Sequence, residues 1–285
     1  MTKSHASADA FGFASKADVP VFDTVCGDAS GSNPYPDVWI TVPERDKNGV
    51  YAGRRRVGRY PDPHNPDGDP YGTSALGLGG RYYDEGMECI DAADHERRID
   101  CFRAAELLYL HAAMKHNAYA FLCLGYVYSY NRCEGRFYEA NEPAGIGPLG
   151  AGEPFSRERR AFECLEVAAD SGLAEGCYKL GDLYKRGMGC EPSDKKAFDC
   201  YLRASKLAEA DGPVVWGSIG FRLGDAYEHG RGCRQDFARA HAWYRKAVIG
   251  LRAAVTSGDW YYEGVLARAE QGVKRCEQEL SLADE

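Results

Sequence analysis

Apolar residues recur with a helical period along most of the chain after residue 72. The clearest stripe consists of Cys177, Leu180, Leu183 and Tyr184, and its spacing is typical of an amphipathic helix. Gly187 follows at the position where a left-handed glycine commonly ends a helix. The pattern therefore predicts one amphipathic helix that ends at this glycine.

A second apolar stripe follows directly and predicts a second helix. Its members are Ala197, Tyr201, Ala204 and Leu207. Ser193 and Asp194 stand just before it and are N-cap residue types. The two stripes together predict a helical hairpin, whose apolar faces pack against each other and against neighbouring hairpins.

This hairpin is repeated along the chain. The segment LGDLYKRGMGC at 180–190 returns as LGDAYEHGRGC at 223–233. In both copies a tyrosine of the second helix follows the glycine of the LG pair at the same distance, Gly181 to Tyr201 and Gly224 to Tyr244. A glycine inside a helix costs about 1 kcal/mol relative to alanine. Its recurrence therefore predicts that a neighbouring helix passes close to it.

Two weaker copies precede these. In them Gly125 is matched with Leu165, and Gly80 with Tyr109. Their longer separations predict inserted surface loops of about 20 and about 9 residues. We predict hairpins at 73–117, 118–173, 174–213 and 217–258, followed by a C-terminal capping helix at 259–285.

Residues 1–72 lack a sustained period. Asn48-Gly49 separates two short apolar segments, at 38–42 and 50–57, and this dipeptide is a strong hairpin signal. The proline-rich stretch at 61–70 is typical of an extended linker. We predict a mostly irregular N-terminal arm that contains one short β-hairpin.

The pattern LGxxYxxGxG followed by AxxxYxxA resembles the Sel1-like repeat, a tetratricopeptide-like α/α repeat. The resemblance extends over about 73–258. It implies an all-α, right-handed superhelical solenoid with a concave inner surface that serves as an adaptor or assembly scaffold, often in bacteria. The sequence departs from the family at Cys89, Cys190 and Cys233, where the family has valine, and its second copy lacks the GxG turn.

The eleven cysteines are predicted to be reduced core residues, because several recur at repeat positions that are buried. Secreted, cysteine-rich relatives of the family pair cysteines eight residues apart. Here Cys177 has Ala169 at that position, and Cys123 has Lys115. The zinc-type spacings C-x-x-C and H-x3-H are missing, so we predict neither a metal nor a cofactor.

Charge and hydropathy bear on which classes of partner the protein binds. The chain has 43 acidic and 35 basic residues, a net charge of −8, which argues against a nucleic-acid partner. It has no apolar run long enough to span a membrane, and its N-terminus lacks the apolar core of a secretory signal. We expect a cytoplasmic protein that binds neither membrane nor nucleic acid.

One motif suggests an enzymatic alternative. Ser193 and Lys196 match the S-x-x-K of serine β-lactamases and penicillin-binding proteins, and cysteine-rich relatives of the family have been associated with β-lactam binding or weak hydrolysis. Their place at a helix start favours Ser193 as an N-cap and Lys196 on a solvated face. GxGxxG at 145–150 has no preceding strand, so we interpret it as part of a flexible insertion. We predict no catalytic residue.

First-helix positions that packing does not require predict a face that binds a protein or peptide. The candidate residues are Tyr119, Leu122, Tyr126, Tyr130, Tyr178, Asp182, Lys185, Arg186, Phe221, Asp225, Glu228 and His229. The same positions include Arg81, Asp84, Ser129 and Glu175. We expect a non-catalytic scaffold that holds a partner peptide or helix. Reversing the charges of Asp182 and Asp225 is expected to abolish binding and leave the thermal melt nearly unchanged.

Three further hypotheses stay open at the level of sequence. The insertion at 131–155 is a second candidate for binding, because long loops without secondary structure are often functional. The N-terminal arm could occupy the concave groove within the same molecule until a partner displaces it. The ends of the solenoid could also stack on other copies of the chain.

Overall fold

The structure is a computed structural model that describes residues 39–45, 51–59, 69, 71–134, 156–208 and 212–283. Most of the predicted N-terminal arm and most of the insertion at 131–155 lie outside the described residues, as does the GxGxxG segment at 145–150. The chain forms two compact units, residues 1–167 and 168–285. Each unit is described by itself.

The described residues form two strands and nine α-helices. The strands are β1 (Trp39–Arg45) and β2 (Tyr51–Arg59). The helices are α1 (Thr73–Glu88), α2 (His95–Met114), α3 (Ala118–Ser129), α4 (Arg157–Asp170), α5 (Ala174–Arg186), α6 (Asp194–Leu207), α7 (Pro213–His229), α8 (Phe237–Thr256) and α9 (Glu263–Ala283). Short 3-10 turns precede α2 and α9.

The two strands pair antiparallel as a hairpin. Trp39 lies opposite Arg59 and Arg45 opposite Tyr51, with register shifts near both ends of β1. Asn48-Gly49, the dipeptide that predicts a hairpin, falls between the two strands. The N-terminal segment therefore contains regular β-structure beside the helical repeats.

Successive helices pack as hairpins. The pairs α1 with α2, α5 with α6, and α7 with α8 make extensive contacts, and α9 packs on α8. In the second pair, α3 contacts α4 where Gly125 faces Leu165. The all-α repeat fold predicted from the sequence is confirmed. Helix α7 begins at Pro213, ahead of the predicted hairpin start at residue 217.

Glycines end two of the helices, and polar side chains cap the N-termini of two others. Gly187 and Gly230 end α5 and α7 in the left-handed conformation, with φ values of 68° and 64°. Ser193 caps α6, because its side-chain oxygen accepts a hydrogen bond from the backbone N–H of Lys196 at 3.2 Å. Asp236 caps α8 in the same way. The capping role predicted for Ser193 is confirmed.

The first repeat corrects the sequence alignment by one residue. A β-carbon on Gly79 would lie 2.7 Å from Cε1 of Tyr109, whereas nothing lies within 4 Å of one on Gly80. The glycine that lies against the second helix is therefore Gly79, and its LG pair is Leu78-Gly79. Several glycines fall close together in α1, so the sequence pattern alone fits more than one register.

None of the described cysteines is in a disulfide, and six of them are buried. The buried ones are Cys89, Cys101, Cys133, Cys164, Cys177 and Cys276. Burial raises the pKa of Cys101 to about 12 and that of Cys276 to about 11, so these thiols stay protonated at neutral pH. Cys177 donates to the carbonyl of Ala169 at 3.7 Å. The predicted core role of the cysteines holds for these six.

Two features of the described residues concern partners other than proteins. No group of three or more His, Cys, Asp or Glu side chains is arranged to hold a metal ion in that part of the chain. None of the helices there combines the length and the apolar character that crossing a membrane requires.

Candidate functional site

Three ion pairs join helices α5, α7 and α9 in the unit formed by residues 168–285. We call these six residues the charge ladder. Its pairs are Asp182 with Arg222, Lys185 with Asp225, and Glu228 with Arg275. The first two pairs join α5 to α7, and the third joins α7 to α9. The same face of each helix thus carries charges that are matched with the next helix.

Asp182 is held in a structural network. Its carboxylate accepts two hydrogen bonds from the Arg222 guanidinium, at 2.7 and 2.5 Å, and one from the Tyr201 hydroxyl at 2.9 Å. The guanidinium also lies over the Tyr178 ring, 4.5 Å from its centroid. Burial disfavours the charged form of Asp182, but Arg222 outweighs burial and lowers the pKa of this carboxyl. Asp182 therefore stays ionised and stabilises the packing of α5 on α7.

Asp225 is surrounded by basic groups. Its Oδ2 accepts from Lys185 at 2.6 Å and from Arg231 at 3.0 Å, and Nδ1 of His229 lies 3.3 Å from Oδ1. Burial opposes ionisation, yet the hydrogen bond and charge of Lys185, with the charge of Arg231, lower the pKa of Asp225. One carboxylate thus organises three basic side chains at the C-terminal ends of α5 and α7.

Glu228 anchors the last helix. Its oxygens accept from the Arg275 guanidinium at 2.5 and 2.9 Å and from the Tyr244 hydroxyl at 2.6 Å. The side chain is only 7% exposed. Burial would raise its pKa, but the hydrogen bonds from Arg275 and Tyr244 lower it. The ion pair therefore links α9 to α7 through a carboxylate that remains charged.

The acids of this face are recessed, whereas its bases other than Arg222 are more exposed. The side chains of Asp182 and Asp225 are 21% and 19% exposed, whereas those of Arg231 and His229 are 42% and 44% exposed. Arg186 is also exposed. We call Lys185, Arg186, His229 and Arg231 the basic rim. Arg186, His229 and Arg231 are thus more exposed than the carboxylates of Asp182 and Asp225.

A separate aromatic face lies on α3 in the unit formed by residues 1–167. Tyr119 and Tyr130 are 57% and 48% exposed. The rings of Tyr126 and Tyr130 stack with centroids 5.8 Å apart, and Arg132 lies 5.1 Å from the centroid of Tyr130. Exposed tyrosines beside an arginine are typical of residues that anchor protein interfaces.

Burial removes three of the predicted residues from any open surface. Leu122 and Tyr178 are 6% and 1% exposed, because Leu122 belongs to the core and Arg222 covers the ring of Tyr178. Glu228 is enclosed by its own partners. Phe221 is partly exposed, and Arg268 lies over its ring at 5.2 Å.

The sequence prediction missed the arginines that complete the site. Arg222, Arg231 and Arg275 contact the three carboxylates of this face, but none of them was a candidate for binding. Arg231 occupies the variable position of the GxG turn, where the preceding copy has Met188, and this difference was the available signal. The pairing of Arg222 and Arg275 depends on the register between repeats, which the spacing within one repeat does not determine.

Comparison with known proteins identifies the later repeats as Sel1 repeats. The family model described as Sel1 repeat matches residues 152–173, 174–208 and 221–248. A Sel1 repeat protein from Oxalobacter formigenes is 22% identical over 50% of this chain and 88% of its own, with a TM-score of 0.36. A protective antigen of uropathogenic Escherichia coli displaying an SLR fold is 18% identical over 73% of this chain and 45% of its own, with a TM-score of 0.32. No curated protein matches the sequence.

Proposed function

The chain is a Sel1-like repeat protein, and from this premise we propose that it is a non-catalytic scaffold that binds a protein partner. Proteins of this family are generally interaction scaffolds, and stacked helical hairpins offer extended binding surfaces. The observation that carries the proposal is the arrangement of the first helices, whose exposed side chains are charged and aromatic. We propose the basic rim and the α3 tyrosines as the two partner-binding faces.

The revised list of binding residues follows from exposure. From the predicted set, the proposal keeps Tyr119, Tyr126, Tyr130, Lys185, Arg186 and His229, and it adds Arg231. Asp182, Asp225 and Glu228 are assigned to positioning, since each is engaged by two or more side chains of the protein itself. Phe221 lies one helical turn before Asp225 and is partly exposed, with Arg268 over its ring.

The proposed compartment is the cytoplasm. The ten described cysteines are outside disulfides, which is compatible with a reducing environment, in which disulfides are rare. Docking of the N-terminal arm onto a binding face and end-to-end stacking of copies stay predictions.

The test is affinity capture with the full-length protein and two surface variants. Tyr119→Ala with Tyr130→Ala removes the α3 aromatics, and Arg186→Gln with Arg231→Gln neutralises part of the basic rim. The proposal expects partner proteins that the wild type captures and at least one variant loses. Capture of the same proteins by both variants would assign binding elsewhere and overturn the proposed faces.

A matched control separates surface chemistry from general charge effects. Lys206 in α6 and Arg245 in α8 are exposed on second helices. The double variant Lys206→Gln with Arg245→Gln changes the net charge by the same amount as the rim variant. The proposal expects this control to capture the same partners as the wild type.

A further inference from the structure

We propose that the segment bound at the basic rim is an acidic peptide, recognised through its carboxylates. This inference rests on the proposed scaffold function and names the chemistry of its partner. It is carried by the separation between recessed acids and exposed bases on α5, α7 and the turn that follows α7.

The charge ladder and the basic rim together carry a charge of opposite sign to that of the whole chain. The charge ladder and the basic rim together contain five lysine or arginine side chains, at 185, 186, 222, 231 and 275, against carboxylates at 182, 225 and 228. The whole chain has a net charge of −8. A positive patch on an acidic protein concentrates anionic partners at that patch.

Lys185 and Arg231 have more N–H donors than their hydrogen bonds to Asp225 use. An ammonium group carries three N–H donors and a guanidinium carries five. Lys185 and Arg231 each donate one hydrogen bond to Oδ2 of Asp225. Since both nitrogens bond the same oxygen, a single incoming carboxylate can bridge them. Both side chains are more than one third exposed, so further donors are within reach of a ligand.

The recessed carboxylates hold the rim in place before a ligand arrives. Asp225 fixes Lys185 and Arg231, and the Arg186 guanidinium donates to the backbone carbonyl of Asp182 at 3.2 Å. Fixing long side chains in advance reduces the conformational entropy that binding would cost.

A peptide fits this patch better than a nucleic acid. The rim is local, and a long polyanion that extended beyond it would meet the acidic remainder of the chain.

A competing explanation assigns the bases to stability alone. Lysine and arginine at helix C-termini interact favourably with the helix dipole, typically by 0.3–1 kcal/mol. Under that explanation, neutralising the rim would lower stability slightly and change no binding. A binding measurement on a folded variant therefore separates the two explanations.

The experiment measures binding of fluorescein-labelled oligoglutamate to the full-length protein by fluorescence anisotropy. We expect wild-type binding that weakens as salt rises. Arg186→Gln with Arg231→Gln is expected to raise the Kd about tenfold or more, since two charge-assisted hydrogen-bonding groups are lost. Lys206→Gln with Arg245→Gln is expected to bind as the wild type does, and thermal melts establish that both variants are folded.

Three results would overturn the inference. They are no binding of oligoglutamate to the wild type, equal binding by the rim and control variants, and binding of oligothymidylate as tight as that of oligoglutamate, which would assign the rim to nucleic acid. If oligoglutamate fails while the capture experiment still yields partners that depend on a binding face, the scaffold function stands and only the partner's chemistry is wrong. If capture also fails, the proposed function falls with it.

Discussion

Gly181 of α5 lies directly against the ring of Tyr201 in α6. A β-carbon on Gly181 would come within 2.5 Å of Cε1 of that ring and 3.0 Å of the Ala197 carbonyl oxygen. The next repeat reproduces the relationship, because a β-carbon on Gly224 would lie 2.7 Å from Cδ1 of Tyr244. Both of these repeats thus use the LG glycine to admit the tyrosine of the second helix.

Alanine at Gly181 or Gly224 is expected to destabilise the protein. The helical propensity of alanine favours the substitution by about 1 kcal/mol, but overpacking typically costs 1–3 kcal/mol. The tyrosine ring must also move away from a helix backbone that it contacts closely. We expect a net loss of up to about 2 kcal/mol in the free energy of unfolding measured by urea denaturation.

Gly77 in α1 supplies the matched control for these glycines. Nothing lies within 4 Å of a β-carbon placed there. Gly77→Ala is therefore expected to be neutral or to stabilise by up to about 1 kcal/mol. Stabilisation by all three substitutions would show that the close approach has no energetic consequence.

The ion pair of Asp182 and Arg222 is expected to contribute to stability. The sequence-based expectation that charge reversal at Asp182 leaves the melt unchanged is contradicted by this network, because reversal would place a cation beside a guanidinium. Asp182→Asn is expected to cost about 1–3 kcal/mol. Combined with Arg222→Gln in a double-mutant cycle, it should show a coupling of about 1 kcal/mol or more.

An exposed pair provides the comparison. Lys195 and Asp199 form an ion pair at 2.6 Å in α6, but both side chains are more than half exposed. Asp199→Asn is expected to change stability by no more than about 0.5 kcal/mol. If the two aspartates gave equal losses, burial and the bidentate geometry at Asp182 would not explain the effect.

The sequence was sufficient to predict the structural features that depend on a single repeat. Helix period, the caps at Gly187 and Ser193, and the contact of Gly181 with Tyr201 all follow from spacings within a single hairpin. Contacts between hairpins were not accessible in this way. The partners of Asp182 and Glu228 come from α7 and α9, and the register between repeats that brings them together has no local signal.

Glu228 is expected to make the attachment of α9 sensitive to acid. Its pKa is lowered in the folded state, so its contribution to stability is complete above the ordinary range for glutamate, near pH 4.5. That contribution is lost as pH falls through the folded-state pKa. Glu228→Gln should therefore lower stability at pH 7 by about 1 kcal/mol and flatten the acid dependence below pH 4.5.

Hydrogen exchange locates this effect in the chain. Amides of α9 (Glu263–Ala283) should exchange faster in Glu228→Gln, because the variant loses the carboxylate charge that attracts Arg275. Glu277, which lies at the exposed surface 3.2 Å from Nε2 of His241, gives the control Glu277→Gln. Equal acceleration in both variants would show that any charge loss near α9 suffices.

His111 is expected to make the stability of the unit formed by residues 1–167 depend on pH as well. Burial lowers the pKa of His111 to about 4, Lys115 adds to the shift, and Asp69 opposes it. The unfolded chain binds a proton near pH 6.5, so this contribution to stability falls as pH decreases from about 6.5 towards 4. Between pH 7 and pH 5 the loss is about 2 kcal/mol.

Variants at two histidines separate the effect of His111 from that of other titrating groups. His111→Gln should reduce the difference in unfolding free energy between pH 7 and pH 5. His116 is exposed and has a φ of 61°, a conformation that asparagine also tolerates, so His116→Asn should leave the difference unchanged. An unaltered pH difference in His111→Gln would contradict the assignment.

Ser193 is expected to act as a helix cap and to have no catalytic role. Loss of a side-chain cap typically costs about 1 kcal/mol, so Ser193→Ala and Asp236→Ala should destabilise α6 and α8 by similar amounts in thermal unfolding. A chromogenic β-lactam tests the enzymatic alternative on the same proteins. We expect the wild type to give no turnover above buffer. Turnover that disappears in Ser193→Ala but persists in Asp236→Ala would show that the S-x-x-K serine is a nucleophile, because loss of a cap alone would affect both variants.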